Sequence, residues 1–175
     1  MEDFINGFGM GFDLLWSILS AEPKLTALIL LFIGSMVLVA FIVNMVREYR
    51  LKKSGMLDVD EMPGRKFEEY LQVLLRSRGY KASLTPETGD YGADLILSTQ
   101  KKKIIVQAKR YKKNVGIKAV QEIASAKSHY RAEECWVITN SFFTQAAKNL
   151  ALSNKVRLID RNELMGWMIN QNKSA

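Results

Sequence analysis

The feature that most constrains this chain is a run of 22 residues without a charged side chain, at residues 25–46. As an α-helix this run would extend about 33 Å at 1.5 Å per residue, and the hydrocarbon core of a bilayer is roughly 30 Å thick. A helix of a soluble protein is seldom apolar on every face over such a length, so a buried core helix is the weaker alternative. The run therefore predicts a transmembrane helix.

Charges on either side of the run predict its orientation. Residues 1–24 carry four acidic side chains and one lysine, whereas residues 47–53 carry four basic side chains and one glutamate. The positive-inside rule places the basic flank, and the domain that follows it, in the cytoplasm. No small-residue cleavage site follows the run, so we expect a retained anchor. The predicted location is the inner (cytoplasmic) membrane, with a single pass.

The segment before the run, residues 4–20, is apolar but interrupted by Asp13 and three glycines. We expect it to lie in the membrane interface with Phe12 and Trp16 buried shallowly. A second span is the alternative, and it would move the amino terminus to the cytoplasm without relocating the domain.

The remainder of the chain has the hydrophobic periods of alternating helices and strands. A first helix is predicted to start near Pro63 and to end at Gly79. After it, strands are predicted at residues 80–85, 93–99, 103–110, 134–140 and 156–160, and helices at 116–130, 143–152 and 161–170. This order predicts a mixed α/β sandwich. The predicted division is an N-terminal segment at 1–24, a transmembrane helix at 25–46, a charged connector at 47–61, a folded domain at 62–170 and a tail at 171–175.

Two of these strands are separated by the polar residues 100–102. If the chain reverses there, Asp94 falls opposite Gln107. Side chains alternate between the two faces of a strand, so Gln107 and Lys109 share a face that Asp94 can join. A carboxylate, an amide and an ammonium would then converge, which suits metal-assisted hydrolysis of a phosphodiester. Solvated residues at the edge of a hairpin are the alternative.

The hairpin belongs to a longer series of short motifs, which in chain order are Phe67-Glu68, Leu71, Leu74-Leu75-Arg76, Gly79-Tyr80, Thr85, Gly89-Asp90, Gly92-Ala93-Asp94, Gln107-Ala108-Lys109-Arg110-Tyr111, Val120-Gln121-Glu122 and Thr139-Asn140-Ser141. Over about residues 58–165 the series resembles the Mrr-type restriction endonuclease domain of the PD-(D/E)xK nuclease superfamily. The resemblance implies a restriction-endonuclease-like αβββαβ core with a mixed central sheet. It also implies metal-dependent cleavage of DNA, often foreign or modified DNA.

Roles for individual residues also follow from the resemblance. Asp94 would ligate the metal ion and Lys109 would be the catalytic lysine. Gln107 stands where most of the superfamily carries Asp or Glu. Glu68 would add a second acidic ligand, although a solvated glutamate in the first turn of a helix is the alternative. The implied cofactor is Mg²⁺ or Mn²⁺, which hard oxygen ligands would hold.

Two further residues are accessory candidates. Asp90 lies in the same loop as Asp94, and the glycines beside it favour a role in a tight turn over ligation. Gln121, on the following helix, faces the site in relatives, and a plain surface glutamine is the alternative.

The charge distribution predicts a polyanionic partner. The whole net charge of +7 belongs to the residues after position 53, and eight basic residues with no acidic one lie between Lys101 and Lys118. Candidates for contact with DNA phosphates are Lys101, Lys102, Lys103, Arg110, Lys112 and Lys113. A solubilising hairpin tip, or attraction to anionic lipid, is the alternative.

Other chemistries lack the residues they need. One cysteine, Cys135, cannot form an internal disulfide, and one histidine, His129, is too few for a zinc site or a Ser-His-Asp triad. No phosphate-binding loop motif is present, so no nucleotide cofactor is expected.

The predicted function is that of a membrane-anchored, divalent-metal-dependent DNA endonuclease, a type IV restriction enzyme of the Mrr kind acting against foreign or modified DNA. One alternative is a catalytically idle nuclease fold that tethers DNA or a protein partner to the membrane. A narrower enzymatic alternative is a Holliday-junction resolvase. Cutting both strands of a duplex needs two active sites, which leaves a homodimer open.

Overall fold

A computed structural model of the protein describes residues 23–52, 54–86, 89 and 91–173, together with Asp13, Trp16 and Ser17. Helices in this described part are α1 (Pro23–Lys52), α2 (Met56–Glu61), α3 (Gly64–Ser77), α4 (Ile117–Tyr130), α5 (Gln145–Ser153) and α6 (Arg161–Lys173). Its strands are β1 (Lys81–Leu84), β2 (Leu95–Ser98), β3 (Lys103–Lys109), β4 (Glu134–Thr139) and β5 (Val156–Ile159). Phe12 and most of the predicted interfacial segment lie outside the described residues.

Two compact units divide the chain, at residues 1–47 and 48–175. The first unit is described mainly through α1. An 18-residue window of this helix has a mean hydropathy of 2.8, and none of that window is buried inside the protein. By length and composition, α1 is long and apolar enough to cross a membrane.

The predicted connector at residues 47–61 is helical over most of its length, because α1 continues through Lys52 and α2 follows. No helix was predicted there. At the start of α2 the backbone N–H of Gly55 donates to Asp58 Oδ2 at 2.8 Å, and Val59 is fully buried. A capping contact and one buried residue stabilise a helix that is too short for its hydrophobic period to be visible in the sequence.

Five strands of the second unit form one sheet in the order β1-β2-β3-β4-β5. The pairs β1–β2 and β2–β3 are antiparallel, whereas β3–β4 and β4–β5 are parallel. Each parallel pair is joined through a helix, as parallel neighbours require: α4 connects β3 to β4, and α5 connects β4 to β5. The predicted mixed central sheet with flanking helices is therefore confirmed.

Helices cover both faces of this sheet. The core on one face includes residues of α3 and α6, and the core on the other includes residues of α4 and α5. Along β3, Ile104 and Val106 belong to the α3 side and Ile105 belongs to the α4 side. Gln107 and Lys109 follow Ile105 at two-residue intervals, so both start from the face that α4 covers.

The hairpin of β2 and β3 has the predicted register. Leu95 pairs with Val106 and Ile96 with Ile105, and one step outward this register sets Asp94 opposite Gln107. Thr99 closes the turn, because its backbone N–H donates to the Lys102 carbonyl at 2.9 Å and its hydroxyl oxygen accepts the Lys102 N–H at 3.1 Å.

Candidate active site

The candidate site lies where β2 begins and β3 ends, and its centre is the carboxylate of Asp94. Gln107 Nε2 donates to Asp94 Oδ2 at 2.8 Å, and the backbone N–H of Ala108 donates to the same oxygen at 2.6 Å. Asp94 is 9% exposed and Gln107 is 4% exposed. Two N–H donors offset the cost of burying a carboxylate. The structure thus brings together the acid and the amide that the sequence singled out.

The backbone of Asp94 is held from two sides. Its N–H donates to the Val106 carbonyl at 2.8 Å, and its own carbonyl accepts the N–H of Thr85 at 3.0 Å. The Thr85 hydroxyl, which is buried, donates to the carbonyl of Ala93 at 2.6 Å. These bonds join the end of β1 to the start of β2 and to β3, so the carboxylate projects from an ordered corner of the sheet.

The loop before Asp94 lies against α4 through Gly92. This glycine has a φ of +90°, and a Cβ atom built on it would lie 3.0 Å from Glu122 Cβ and 3.2 Å from the Glu122 carbonyl carbon and oxygen. Glycine is therefore required both for the dihedral angle and for the close approach. Two turns further along α4, the ring of His129 lies 4.0 Å from the ring of Tyr91, centre to centre.

Lys109 forms an ion pair with α4. Its Nζ lies 3.0 Å from Glu122 Oε2, with side-chain exposures of 21% and 30%. The Lys109 carbonyl accepts the hydroxyl of Thr139 at 2.6 Å, which fixes the end of β3 to β4. The other carboxylate oxygen of Glu122 lies 3.9 Å from the Nζ of Lys118. Glu122 thus connects the lysine of the Gln-x-Lys motif with the loop that carries Asp94.

Glu122 was missed as a site residue, because Gln121 was the candidate on this helix. Gln121 is exposed to solvent. The buried stripe of α4 consists of Ala119, Val120, Ile123 and Ala126. At about 100° per residue, Gln121 lies opposite that stripe and Glu122 lies at its edge. The helical period of α4 could therefore have identified Glu122 as the residue beside the buried stripe.

Glu68 approaches from α3, on the other face of the sheet. Its Oε2 lies 2.8 Å from Arg65 Nη1, and the same nitrogen donates to the Thr85 carbonyl at 3.5 Å. Through Arg65 and Thr85, Glu68 is linked to the backbone of Asp94. No three His, Cys, Asp or Glu side chains are grouped to hold a metal ion within the described ranges. Metal ligation by Asp94 together with Glu68 stays a prediction, and Asp90 lies outside the described residues.

One oxygen bears on whether the site fits a divalent cation. Gln107 Oε1 is buried and has no hydrogen-bond partner within the part of the chain that the structure describes. A buried oxygen without a partner costs free energy, and hard cations such as Mg²⁺ take carboxylate and amide oxygens together with retained waters. The Asp94 and Gln107 oxygens therefore fit such an ion.

The basic residues predicted to contact DNA divide into two groups at opposite ends of β3. Lys101, Lys102 and Lys103 lie at the hairpin turn, where Lys102 pairs with Glu134 and Lys103 Nζ donates to the Tyr130 carbonyl at 3.0 Å. Arg110, Lys112 and Lys113 follow Lys109, and the side chains of Lys112 and Lys113 are exposed. The six steps of roughly 3.3 Å from Lys103 to Lys109 put about 20 Å between the two ends of β3. The second group is therefore the one beside the site.

The segment after Lys109 is held by a network around Asp60. The N–H of Tyr111 donates to Asn140 Oδ1 at 2.8 Å, and Asn140 Nδ2 donates to Asp60 Oδ1 at 2.8 Å. Arg161 donates to both carboxylate oxygens of Asp60, at 2.7 and 2.8 Å. This guanidinium holds the pKa of Asp60 below its usual range, against the opposing effect of burial. The network connects α2 to the strand end that carries Lys109.

Comparisons with known proteins agree with this architecture. The family model Mrr_cat, described as restriction endonuclease, matches residues 59–168. Among solved structures, the DNA modification-dependent restriction endonuclease AspBHI is similar with a TM-score of 0.52 and 20% identity, over 74% of this chain and 36% of that one. A protein of unknown function, AF1548, is similar with a TM-score of 0.50 and 14% identity, over 56% of this chain and 58% of that one.

A third similar structure is the MspJI restriction endonuclease in complex with a 27-mer oligonucleotide, with a TM-score of 0.45 and 19% identity over 59% of this chain and 27% of that one. No curated protein matches the chain in sequence. The chain spans less than two thirds of the length of each of these solved chains. At 20% and 14% identity, the likeness to AspBHI and to AF1548 shows the fold.

Proposed function

The chain belongs to the Mrr-type restriction endonuclease family, and from that premise we propose that it is a membrane-anchored, divalent-metal-dependent DNA endonuclease. A nuclease domain of this kind supports cleavage of DNA, and such domains generally use divalent metals. The observation that carries the proposal is the Asp94 carboxylate, which is nearly buried and bound to the Gln107 amide at the strand end that carries Lys109.

Each of these side chains has a separate task in the proposed reaction. Asp94 and Gln107 would hold Mg²⁺ or Mn²⁺, which supplies polarisation of the scissile phosphate and a lowered pKa for the attacking water. Lys109 would donate to the phosphate oxygens and stabilise the negative charge that develops on them. The hydrogen bonds around Asp94 keep its carboxylate in place, so little reorganisation is needed when the substrate binds.

DNA would reach the site over the group of basic residues that follows β3. Lys112 and Lys113 are exposed and stand three and four residues after Lys109. Lysine side chains that neutralise phosphates give affinity without sequence preference, and that affinity falls with salt.

The anchor in this proposal is α1. Support comes from its run of 22 residues without a charged side chain, from the lack of burial in an 18-residue apolar window, and from the basic residues at its carboxyl-terminal end. Those basic residues favour a cytoplasmic nuclease domain. Cleavage would then be confined to DNA close to the inner membrane, which suits a type IV restriction enzyme that meets foreign or modified DNA as it enters.

Nicking by the full chain in detergent micelles tests the proposal. Substrates are methylated and unmethylated supercoiled plasmids and a four-way junction, each with Mg²⁺, Mn²⁺ or EDTA. We expect metal-dependent nicking that Asp94→Asn and Lys109→Ala abolish and that the matched surface change Lys148→Ala leaves intact. Equal nicking by Asp94→Asn and the parent, or nicking in EDTA, refutes the proposal.

A second candidate function is a nuclease fold that binds DNA at the membrane without cutting it. The observation that favours it is the lack of three grouped acidic, His or Cys side chains within the described ranges. It predicts DNA binding that ignores metal ions and no scission of any substrate above. Preferential cutting of the junction would instead identify a Holliday-junction resolvase.

A further inference from the structure

The ion pair between Lys109 and Glu122 has no task in the reaction proposed above. A lysine side chain has four rotatable carbon–carbon bonds, and holding it in one geometry has an entropic cost. In this structure the carboxylate of Glu122, 3.0 Å from Nζ, supplies the constraint. An ammonium has three N–H donors, so one bond to Glu122 leaves two for a phosphate oxygen and a water.

Glu122 is itself held in place by its surroundings. Its neighbours Val120 and Ile123 are fully buried against the sheet. On its outer side, Gly92 lies so close that an added Cβ would be 3.0 Å from Glu122 Cβ. The backbone and Cβ of Glu122 therefore cannot shift without moving α4 or the loop that leads into Asp94.

A cavity of about 80 Å³ lies beside the pair. Its lining includes Lys109, Glu122 and Lys118, with Tyr111 and Gly116 among the other residues. A space of this size holds several water molecules. Two ammonium groups and one carboxylate give the lining a net positive charge, which suits a phosphate oxygen and the water that attacks the phosphorus.

We propose that Glu122 is the positioning residue for Lys109, holding its ammonium beside this cavity so that the two remaining N–H donors are available to the scissile phosphate and the attacking water. The proposal rests on the nuclease function proposed above. It adds a residue to that reaction, and it makes Glu122 act through Lys109 instead of touching the substrate.

The test compares Glu122→Asp and Glu122→Gln with the parent in plasmid nicking with Mg²⁺. Misplacement of a catalytic group by about 1 Å lowers the rate on the order of 100-fold. We therefore expect kcat to fall about 10- to 100-fold in Glu122→Gln and less in Glu122→Asp. The KM for plasmid should change less than about twofold, because the exposed lysines that bind phosphates are untouched.

Two controls separate positioning from general loss of charge. Glu163→Gln removes a carboxylate from another ion pair, that with Arg157 at 2.5 Å, and should leave kcat unchanged. Lys148→Ala removes an exposed ammonium on α5, outside the lining of the cavity, and should also leave kcat unchanged. Thermal unfolding of every variant shows which ones are folded at the assay temperature. If Glu122→Gln is not folded there, Glu122→Asp is the deciding variant. A kcat of Glu122→Asp equal to that of the parent would then overturn the proposal.

A measurement independent of cleavage is the NMR signal of the Lys109 ammonium in protein labelled with ¹⁵N-lysine. This signal is assigned by its loss in Lys109→Ala, and slow hydrogen exchange is expected of a hydrogen-bonded ammonium. It should persist in Lys118→Ala and disappear in Glu122→Gln. An unchanged signal in Glu122→Gln, or a kcat equal to the parent's, overturns the proposal. If the parent does not nick DNA, or if Asp94→Asn nicks as well as the parent, the nuclease function fails instead, whatever the NMR signal shows, so the two failures are distinguishable.

Discussion

Replacing Gly92 with alanine tests whether the loop that carries Asp94 is positioned by close contact with α4. The structure offers a matched control in Gly79. Both glycines have left-handed backbone angles, with φ of +90° and +87°, but an added Cβ meets Glu122 at 3.0 Å in the first case and nothing within 4 Å in the second. The difference between the two variants therefore isolates the contact from the cost of the dihedral angle.

The magnitudes follow from these distances. A left-handed angle costs an alanine roughly 1–2 kcal/mol, and this should be the whole effect of Gly79→Ala on the free energy of unfolding. Gly92→Ala adds overpacking, which costs about 1–3 kcal/mol, so we expect a total of about 2–5 kcal/mol. Relief of the contact to an ordinary distance requires a shift of about 0.4 Å, and a shift of that size two residues before Asp94 should slow nicking several-fold.

Urea unfolding followed by tryptophan fluorescence measures the stability, since Trp136 and Trp167 lie in the core. Nicking at a temperature where both variants are folded measures the effect on the site. We expect Gly79→Ala to nick like the parent and Gly92→Ala to be slower. Equal unfolding free energies and equal nicking rates for the two variants would show that the contact with Glu122 does not position the loop.

Three more outcomes are expected. The double variant Lys112→Ala/Lys113→Ala should reduce the slope of log DNA affinity against log salt concentration by about 2. Lys101→Ala, at the opposite end of β3, should leave this slope unchanged for DNA bound at the candidate active site. Arg161 lowers the pKa of Asp60 in the folded protein. The ionised carboxylate therefore stabilises the fold fully above its unfolded pKa, and this stabilisation is lost as pH falls through the lower pKa of the folded state. Asp60→Asn should be less stable than the parent at pH 7, and the difference in unfolding free energy should shrink below about pH 4. A pH-independent difference would contradict this. Finally, the chain should resist alkaline extraction from membranes, and three Leu→Lys changes within α1 should release it; extraction of the parent would argue against an anchor.

The local sequence pattern was sufficient to predict the β2–β3 hairpin and most helices and strands of the second unit. The register of β2 and β3 depends on where the chain turns, and the polar residues between the two apolar runs mark that place. Once the turn is known, strand alternation sets Asp94 beside Gln107, and the structure has that contact at 2.8 Å. α1 is equally visible, because its apolar run needs no partner within the chain to be recognised.

Those local patterns did not predict the contacts between different helices and strands. Glu122 faces Lys109 because α4 packs on one particular face of the sheet and because Gly92 allows the loop to come close, and neither condition is encoded near Lys109 in the chain. The six basic residues form one block in the sequence, yet a strand of extended residues separates them into two groups about 20 Å apart. α2 is stabilised by Val59, which belongs to the core cluster that also contains residues of α3, α6 and the sheet.

The sequence by itself therefore determined the apolar helix, the order of helices and strands, and the pairing of Asp94 with Gln107, since each depends on residues close together in the chain or on a two-residue period. Tertiary structure alone decided that Lys109 pairs with Glu122, that Arg65 reaches the Thr85 carbonyl, and which lysines stand beside the site. The physical reason is that these contacts join different faces and different ends of the sheet. Their distances depend on how whole elements pack, which no short stretch of residues specifies.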